Sequence, residues 1–227
     1  MPLPTLDFAT GDAPGAAVII LHGLGANARD FVPFVDEIDL APVGPVRWVF
    51  PDAPVRPVTA NGGARMQAWY DIPGFDAALA RREDEAGLRA SAALVQELID
   101  REVARGVPSS RIVLGGFSQG CMMSLLTGLR APQRLAGLLG LSGYLPLAAA
   151  TVAERSAANA DVPVFLAHGR FDPIVPFALG TRTRDTLGGM GHPVEWHEYP
   201  IQHGVAPEEV EHIGAWLRRV LAPPPSA

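Results

Sequence analysis

Short apolar runs, separated in several places by longer stretches of helical periodicity, constrain this chain more than anything else in it. Residues 17–21, 46–50, 112–114, 138–141, 164–167 and 194–199 read as strands, most of them apolar without alternation and therefore buried on both faces. Between them, residues 83–105 place Leu88, Ala92, Val95, Leu98, Ile99 and Val103 at steps of three and four, with charges on the other side. Further helices are expected at 119–129, 177–187 and 207–221, the last with Pro207 in its first turn. Strands alternating with helices predict an α/β fold, a mostly parallel sheet covered on both faces. In such sheets ligands bind at the carboxyl ends of the strands, so chemistry is sought in the loops that follow them.

The run at residues 112–114 leads through two glycines into Phe117-Ser118-Gln119-Gly120, after which the helix pattern begins at once. A serine at the apex of a sharp strand-to-helix turn holds its hydroxyl above the sheet, and glycines two residues to either side let the backbone fold that tightly. A hydroxyl needs an adjacent base to take its proton, and that base needs a carboxylate to fix its tautomer. Asp172 lies in the loop after the strand at 164–167, and His203 in the loop after the strand at 194–199. Asp161, Asp185, His192, His197 and His212 precede strands or lie inside elements, and read as structural or solvated. The order Ser118, Asp172, His203 is the one expected for a serine at such a turn. Oxyanion stabilisation needs two backbone N–H donors. Gln119, which follows the serine, and Leu24, in the glycine-containing loop after the strand at 17–21, are the candidates.

Composition narrows the chemistry further. The chain holds 227 residues, 48% of them hydrophobic, which suits a single domain over residues 1–221 followed by a flexible tail at 222–227. All 18 basic residues are arginines, so lysine Schiff bases and Walker-type phosphate lysines are excluded. The six histidines and one cysteine form no metal-ligand spacing, and neither a metal nor a cofactor is expected. A net charge of −6 without a basic stripe argues against nucleic acid and anionic membrane surfaces as partners. Residues 135–153 carry no charge, but Gly137, Gly140, Gly143 and Pro146 interrupt them, so they read as a buried strand and a turn rather than a membrane span. The N-terminal residues show neither a basic start nor an apolar signal core, which makes the cytoplasm the expected compartment. Residues 51–80, rich in Pro and Gly, show no clear element and carry Arg56, Met66, Trp69 and Tyr70. These side chains either wall an acyl pocket or, for Trp69 and Met66, plug the core; both readings stand.

Six segments, LHGLGAN, RPVTANGG, MQAWYDIPG, GFSQG, AHGRFDPIVP and EYPIQHGVAPEEVEHIGAWL, resemble in this order the phospholipase/carboxylesterase family of α/β-hydrolases, from about Gly15 to Leu221. The resemblance implies an α/β-hydrolase fold without a separate lid domain. It also implies Ser118 as nucleophile, His203 as general base and then acid, Asp172 as orienting carboxylate, and Leu24 and Gln119 at the oxyanion hole. Trp69 and Val175 fall where the family lines its acyl pocket. No cofactor is implied, and a homodimer is a partner some members adopt. One departure is visible: Cys121 stands where the family often has glycine, and is read as a packed, inert thiol. The expected activity is hydrolysis of short- to medium-chain carboxylic esters, small-molecule substrates, through an acyl-enzyme. Acyl-protein thioesterase or lysophospholipase activity with the same triad is the alternative, and a non-catalytic ligand-binding protein on a hydrolase scaffold is the reading from another class.

Overall fold

The computed structural model describes residues 2–74 and 83–223, so part of the expected tail and residues 75–80 of the irregular segment lie outside the described residues. Strands β1 (Thr5–Ala9), β2 (Ala16–Leu21), β3 (Val46–Pro51), β6 (Ile112–Phe117), β7 (Gly137–Leu141), β8 (Val164–Gly169) and β9 (Val194–Tyr199) form one sheet in the order β1-β3-β2-β6-β7-β8-β9. All pairs are parallel except β1 with β3. Strands β4 (Val55–Val58) and β5 (Ala64–Gln67) form a separate antiparallel hairpin.

The alternation of side chains along β2 divides the core in two. Ala17, Ile19 and Leu21 pack with Leu88, Val95 and Ile99 of helix α2 (Glu85–Ala104), with Met123 and Leu126 of α3 (Gln119–Gly128), and with Leu187 of α5 (Phe177–Gly189). Val18 and Ile20 face the other way. They join Trp48, Phe50 and Phe165, with Phe34 of α1 (Phe34–Glu37) and Ile213, Trp216 and Leu217 of α6 (Pro207–Val220). The inner strands bury every residue of β2, β7 and β8, which is why their sequences are apolar without a period of two. Helix α2 begins where the Asp84 side chain accepts the Gly87 amide, and Gly106, at φ +95°, lies just beyond its end.

The structure departs from the sequence reading in specific places. Strand β1 was not expected, because an exposed antiparallel edge with the sequence TLDFA carries little apolar signal. The segment read as irregular holds the β4–β5 hairpin, where Pro57 is tolerated because a two-stranded ribbon has open edges. Strand β6 runs three residues further than expected, through Gly115 and Gly116, which pair with Ile20 and Leu21 on one side and Leu139 and Gly140 on the other. After β7, in place of a plain turn, the small residues form helix α4 (Ala148–Glu154). Among the described residues no helix is long and apolar enough to cross a membrane.

Glycine spacing around β6 has a steric cause. A Cβ on Gly116 would lie 2.4 Å from the Gly120 carbonyl, and one on Gly120 only 2.0 Å from the Leu21 carbonyl oxygen. By contrast, a Cβ on Gly188, late in α5, meets nothing. Gly120→Ala is expected to lose about 3 kcal/mol or more, because backbone must move, whereas Gly188→Ala gains up to about 1 kcal/mol from reduced chain entropy. Denaturant unfolding of both variants checks this, and equal effects would remove the steric account.

Candidate active site

Ser118 sits between β6 and α3 with φ +54° and ψ −119°, a conformation that costs a non-glycine residue of order 1–3 kcal/mol. Its amide donates to the Leu141 carbonyl at 2.8 Å, fastening the turn to the end of β7. The strained backbone turns the hydroxyl toward His203, whose Nε2 lies 3.0 Å from Ser118 Oγ. On the far side of the ring, His203 Nδ1 lies 2.6 Å from Asp172 Oδ2. The Phe117 ring packs against the imidazole at 4.7 Å between centroids and limits its rotation. The structure thus brings together three residues that the sequence places 54 and 31 positions apart.

Asp172 is buried, and both of its oxygens are occupied. Oδ1 accepts the amides of Ile174 and Val175, each at 2.8 Å, and Oδ2 faces His203. Burial by itself would raise this carboxyl, but the hydrogen bonds from His203 and the two amides outweigh it and hold Asp172 below the usual carboxylate range. It is therefore an anion at neutral pH, aimed at the imidazole. His168, behind it on β8, is also buried, and desolvation pushes its pKa below the ordinary histidine value. Its Nε2 lies 2.9 Å from the Val175 carbonyl, so that nitrogen carries the proton and ties down the 172–175 loop. Gly180 makes room for the ring, since a Cβ there would lie 2.5 Å from His168 Nδ1.

The loop after β2 passes close to the serine: a Cβ on Gly23 would be 3.3 Å from Ser118 Cβ. Among the described residues, the amides of Leu24 and Gln119 have no acceptor within the protein. Other contacts hold this loop in place. His22, buried and shifted below its ordinary pKa by desolvation, accepts the Ala53 amide on Nε2 at 3.0 Å, while its Nδ1 faces the Gly23 carbonyl at 2.6 Å. The Gly25 amide donates to Gln67 of β5 at 2.9 Å, so the hairpin props the loop.

Of the two readings left open for Trp69, the structure shows the buried one, and Val175, expected by resemblance at an acyl pocket, is also buried. Trp69 is fully buried; its Nε1 donates to the His22 carbonyl at 2.9 Å and its amide donates to Gln119 Oε1 at 2.9 Å. Gln119 Nε2 in turn donates to the Tyr70 carbonyl at 2.8 Å. Trp69 thus clamps the 22–27 loop to the start of α3 and does not line the groove beside Ser118. Val175 is buried with its amide on Asp172, and its neighbour Ile174, half exposed, reaches the groove. Sequence reasoning missed the roles of His22, His168 and the Gln119 side chain. The local trace of the two histidines is a polar residue at the end of an otherwise apolar strand; the Gln119 side chain leaves none.

The groove has a volume of about 870 Å³ and opens on Ser118 and His203. Phe31, Phe34, Phe117, Val205 and Val210 supply its apolar surface. Among the described residues no cluster of His, Cys, Asp or Glu is arranged to hold a metal ion. Cys121 is buried, and desolvation pushes its thiol far above the ordinary range. Its side chain fits because Gly140 and Gly143 face it: a Cβ at either would lie 2.9 or 2.6 Å from the sulfur.

Glu209, in the first turn of α6, is buried and ties Ala206 to the helix through the Ala206 amide at 3.2 Å. Burial raises its pKa to about 7. An acid raised in the folded state contributes most stability below its unfolded value of about 4.5 and loses it as pH climbs through 7. Glu209→Gln keeps the acceptor and removes this dependence. Relative to the variant, the wild type should lose on the order of 2–3 kcal/mol between pH 4 and pH 8, measured by chemical unfolding across that range. A constant difference would place the titration elsewhere. A thiol reagent should modify Cys121 only as fast as the protein unfolds, and rapid labelling of the native protein would contradict its burial.

With this geometry in view, likeness to known proteins is informative. Residues 8–221 match the phospholipase/carboxylesterase family. The chain is 42% identical over 213 residues to acyl-protein thioesterase 1 of Neurospora crassa, covering 91% of this chain and 87% of that protein. It is 46% identical over 172 residues to the Schizosaccharomyces pombe protein of the same name, covering 76% and 75%. The crystal structure of Zea mays acyl-protein thioesterase 2 superimposes with a TM-score of 0.84 at 29% identity, covering 96% of this chain and 99% of that one. The chain belongs to the phospholipase/carboxylesterase family of α/β-hydrolases and is a serine hydrolase.

Proposed function

We propose that this enzyme hydrolyses carboxylic esters of short to medium acyl chain length through an acyl-enzyme on Ser118, with His203 as general base and then acid and Asp172 as its orienting carboxylate. The observation that carries the reading is the unbroken path from Asp172 Oδ2 through His203 to Ser118 Oγ, with distances of 2.6 and 3.0 Å, at the mouth of an apolar groove. As Oγ attacks the ester carbonyl, Nε2 takes its proton, and the buried Asp172 anion stabilises the imidazolium. Negative charge gathering on the carbonyl oxygen meets the amides of Leu24 and Gln119, donors that need no reorganisation at that moment. Collapse of the tetrahedral species expels the alcohol, which takes its proton from Nε2. Water then repeats the sequence on the acyl-enzyme, releasing the acid and restoring the serine.

Acyl-protein thioester hydrolysis is the second reading, favoured by the relatives at 42 and 46% identity that carry that name. The same residues perform both reactions, with a thiol in place of the alcohol as leaving group. Matched oxygen and sulfur esters of one acyl chain separate the two by the ratio of their kcat/KM values.

Hydrolysis of a p-nitrophenyl series from acetate to palmitate by wild type and Ser118→Ala tests the proposal. Turnover should peak at short or medium chains and vanish in the variant; equal rates in the two proteins would overturn it. Asp172→Asn should lower kcat by about 10⁴ while the protein remains folded, because the histidine adopts the wrong tautomer. Near-normal turnover in that variant would assign the orienting carboxylate to another residue.

A further inference from the structure

Among the described residues, the groove beside Ser118 carries, apart from His203, charge of one sign only. Besides His203, its ionisable lining consists of Asp30 and Glu37 on the wall formed by residues 23–37, and Glu211 on the wall formed by α6 and the loop before it. All three carboxylates are exposed and, among the described residues, none has an ion-pair partner and no arginine lines the groove. Ester hydrolysis by the residues above has no need of them, since none contacts the reacting groups.

The direction of proton transfer tells which half of a substrate this groove receives. His203 Nε2 must reach the departing atom, so the leaving group lies on the His203 side of the scissile bond. The groove wall continues from His203 through Gly204, Val205 and Pro207 to Val210, which makes it the leaving-group side. Its volume of about 870 Å³ far exceeds that of a small alcohol and suits a few peptide residues. Three carboxylates at separate points of the lining match several positive charges spread along a chain better than a single ammonium. Their field in an apolar-walled cleft also concentrates cationic partners at its mouth.

From this complementarity we infer that the groove is a docking surface for a basic peptide, the lysine- or arginine-bearing segment beside an acylated cysteine, and that Asp30, Glu37 and Glu211 select it. The inference rests on the proposed hydrolytic function and specifies the thioester substrate. The peptide's aliphatic stems lie on Phe34, Val205 and Val210 while its charges meet the carboxylates at the rim.

The test uses three S-octanoyl-cysteine peptides of equal length, with flanking residues Lys, Gln or Glu, and compares wild type, Ser118→Ala and the triple variant Asp30→Asn/Glu37→Gln/Glu211→Gln. At low salt, wild type should show kcat/KM for the Lys peptide about tenfold above the Gln peptide, with the Glu peptide lowest. The preference should fade at 1 M salt, where the screening length is about 3 Å, and collapse in the triple variant. If that variant does not fold, Glu211→Lys alone should reduce the preference. Equal rates on all three peptides, with Ser118→Ala inactive, would overturn the docking inference and leave the hydrolytic mechanism intact. So would a preference that survives in the triple variant, or refusal of every peptide by an enzyme that cleaves p-nitrophenyl esters. Peptide cleavage by Ser118→Ala would instead strike at the mechanism itself.

Discussion

The close approach of the β6–α3 turn to the end of β2 is the constraint on which the rest of this structure depends. Gly116 and Gly120 are bare because each would otherwise drive a Cβ into backbone, the latter into the Leu21 carbonyl at 2.0 Å. That approach brings the loop after β2 beside Ser118 and holds the serine at a positive φ. Strain at such a turn persists only where its surroundings over-determine it. Here the surroundings are the β7 carbonyl that accepts the Ser118 amide and the fully buried helix α3 behind it.

Around that turn, buried polar side chains serve as ties. Gln119 joins α3 to residues 69 and 70, Trp69 joins them to the His22 carbonyl, and His22 joins its own loop to Ala53. His168 does the same for the loop that carries Asp172. Each tie is a buried hydrogen bond, all but that of His168 between segments 31–50 positions apart in the chain, and an unmet partner would cost about 1–3 kcal/mol. The loops that bear Ser118, Asp172 and Leu24 are thereby tied to the elements around them. Cys121 belongs to the same economy of space, since the sulfur fills the room left by Gly140 and Gly143.

The electrostatics divide by depth. Asp172 is buried and held anionic by directed hydrogen bonds, whereas Glu209, buried with only one oxygen bonded, is pushed toward the neutral form. The carboxylates lining the groove are exposed. Buried charge in this structure is thus fixed by directed hydrogen bonds, whereas the charge of the groove lining is left to solvent.

The succession of buried strands and helices, the glycine-flanked serine, and the loops in which Asp172 and His203 stand are all written in the amino-acid order. These are legible because burial on both faces leaves unbroken apolar runs, and because a tight turn admits few residue types at its apex. Exposed elements escaped it: β1 and the β4–β5 hairpin are defined by pairing, and their residues carry no comparable apolar record. Long-range packing set the rest: Trp69 clamps a loop, and Ile174 reaches the groove while Val175 turns inward. It alone brought Asp30 and Glu37 to the lining of the same groove as Glu211, more than 170 positions away in the chain. Contacts between residues so distant leave no periodic or local trace, because each chain segment satisfies its own pattern wherever the fold carries it.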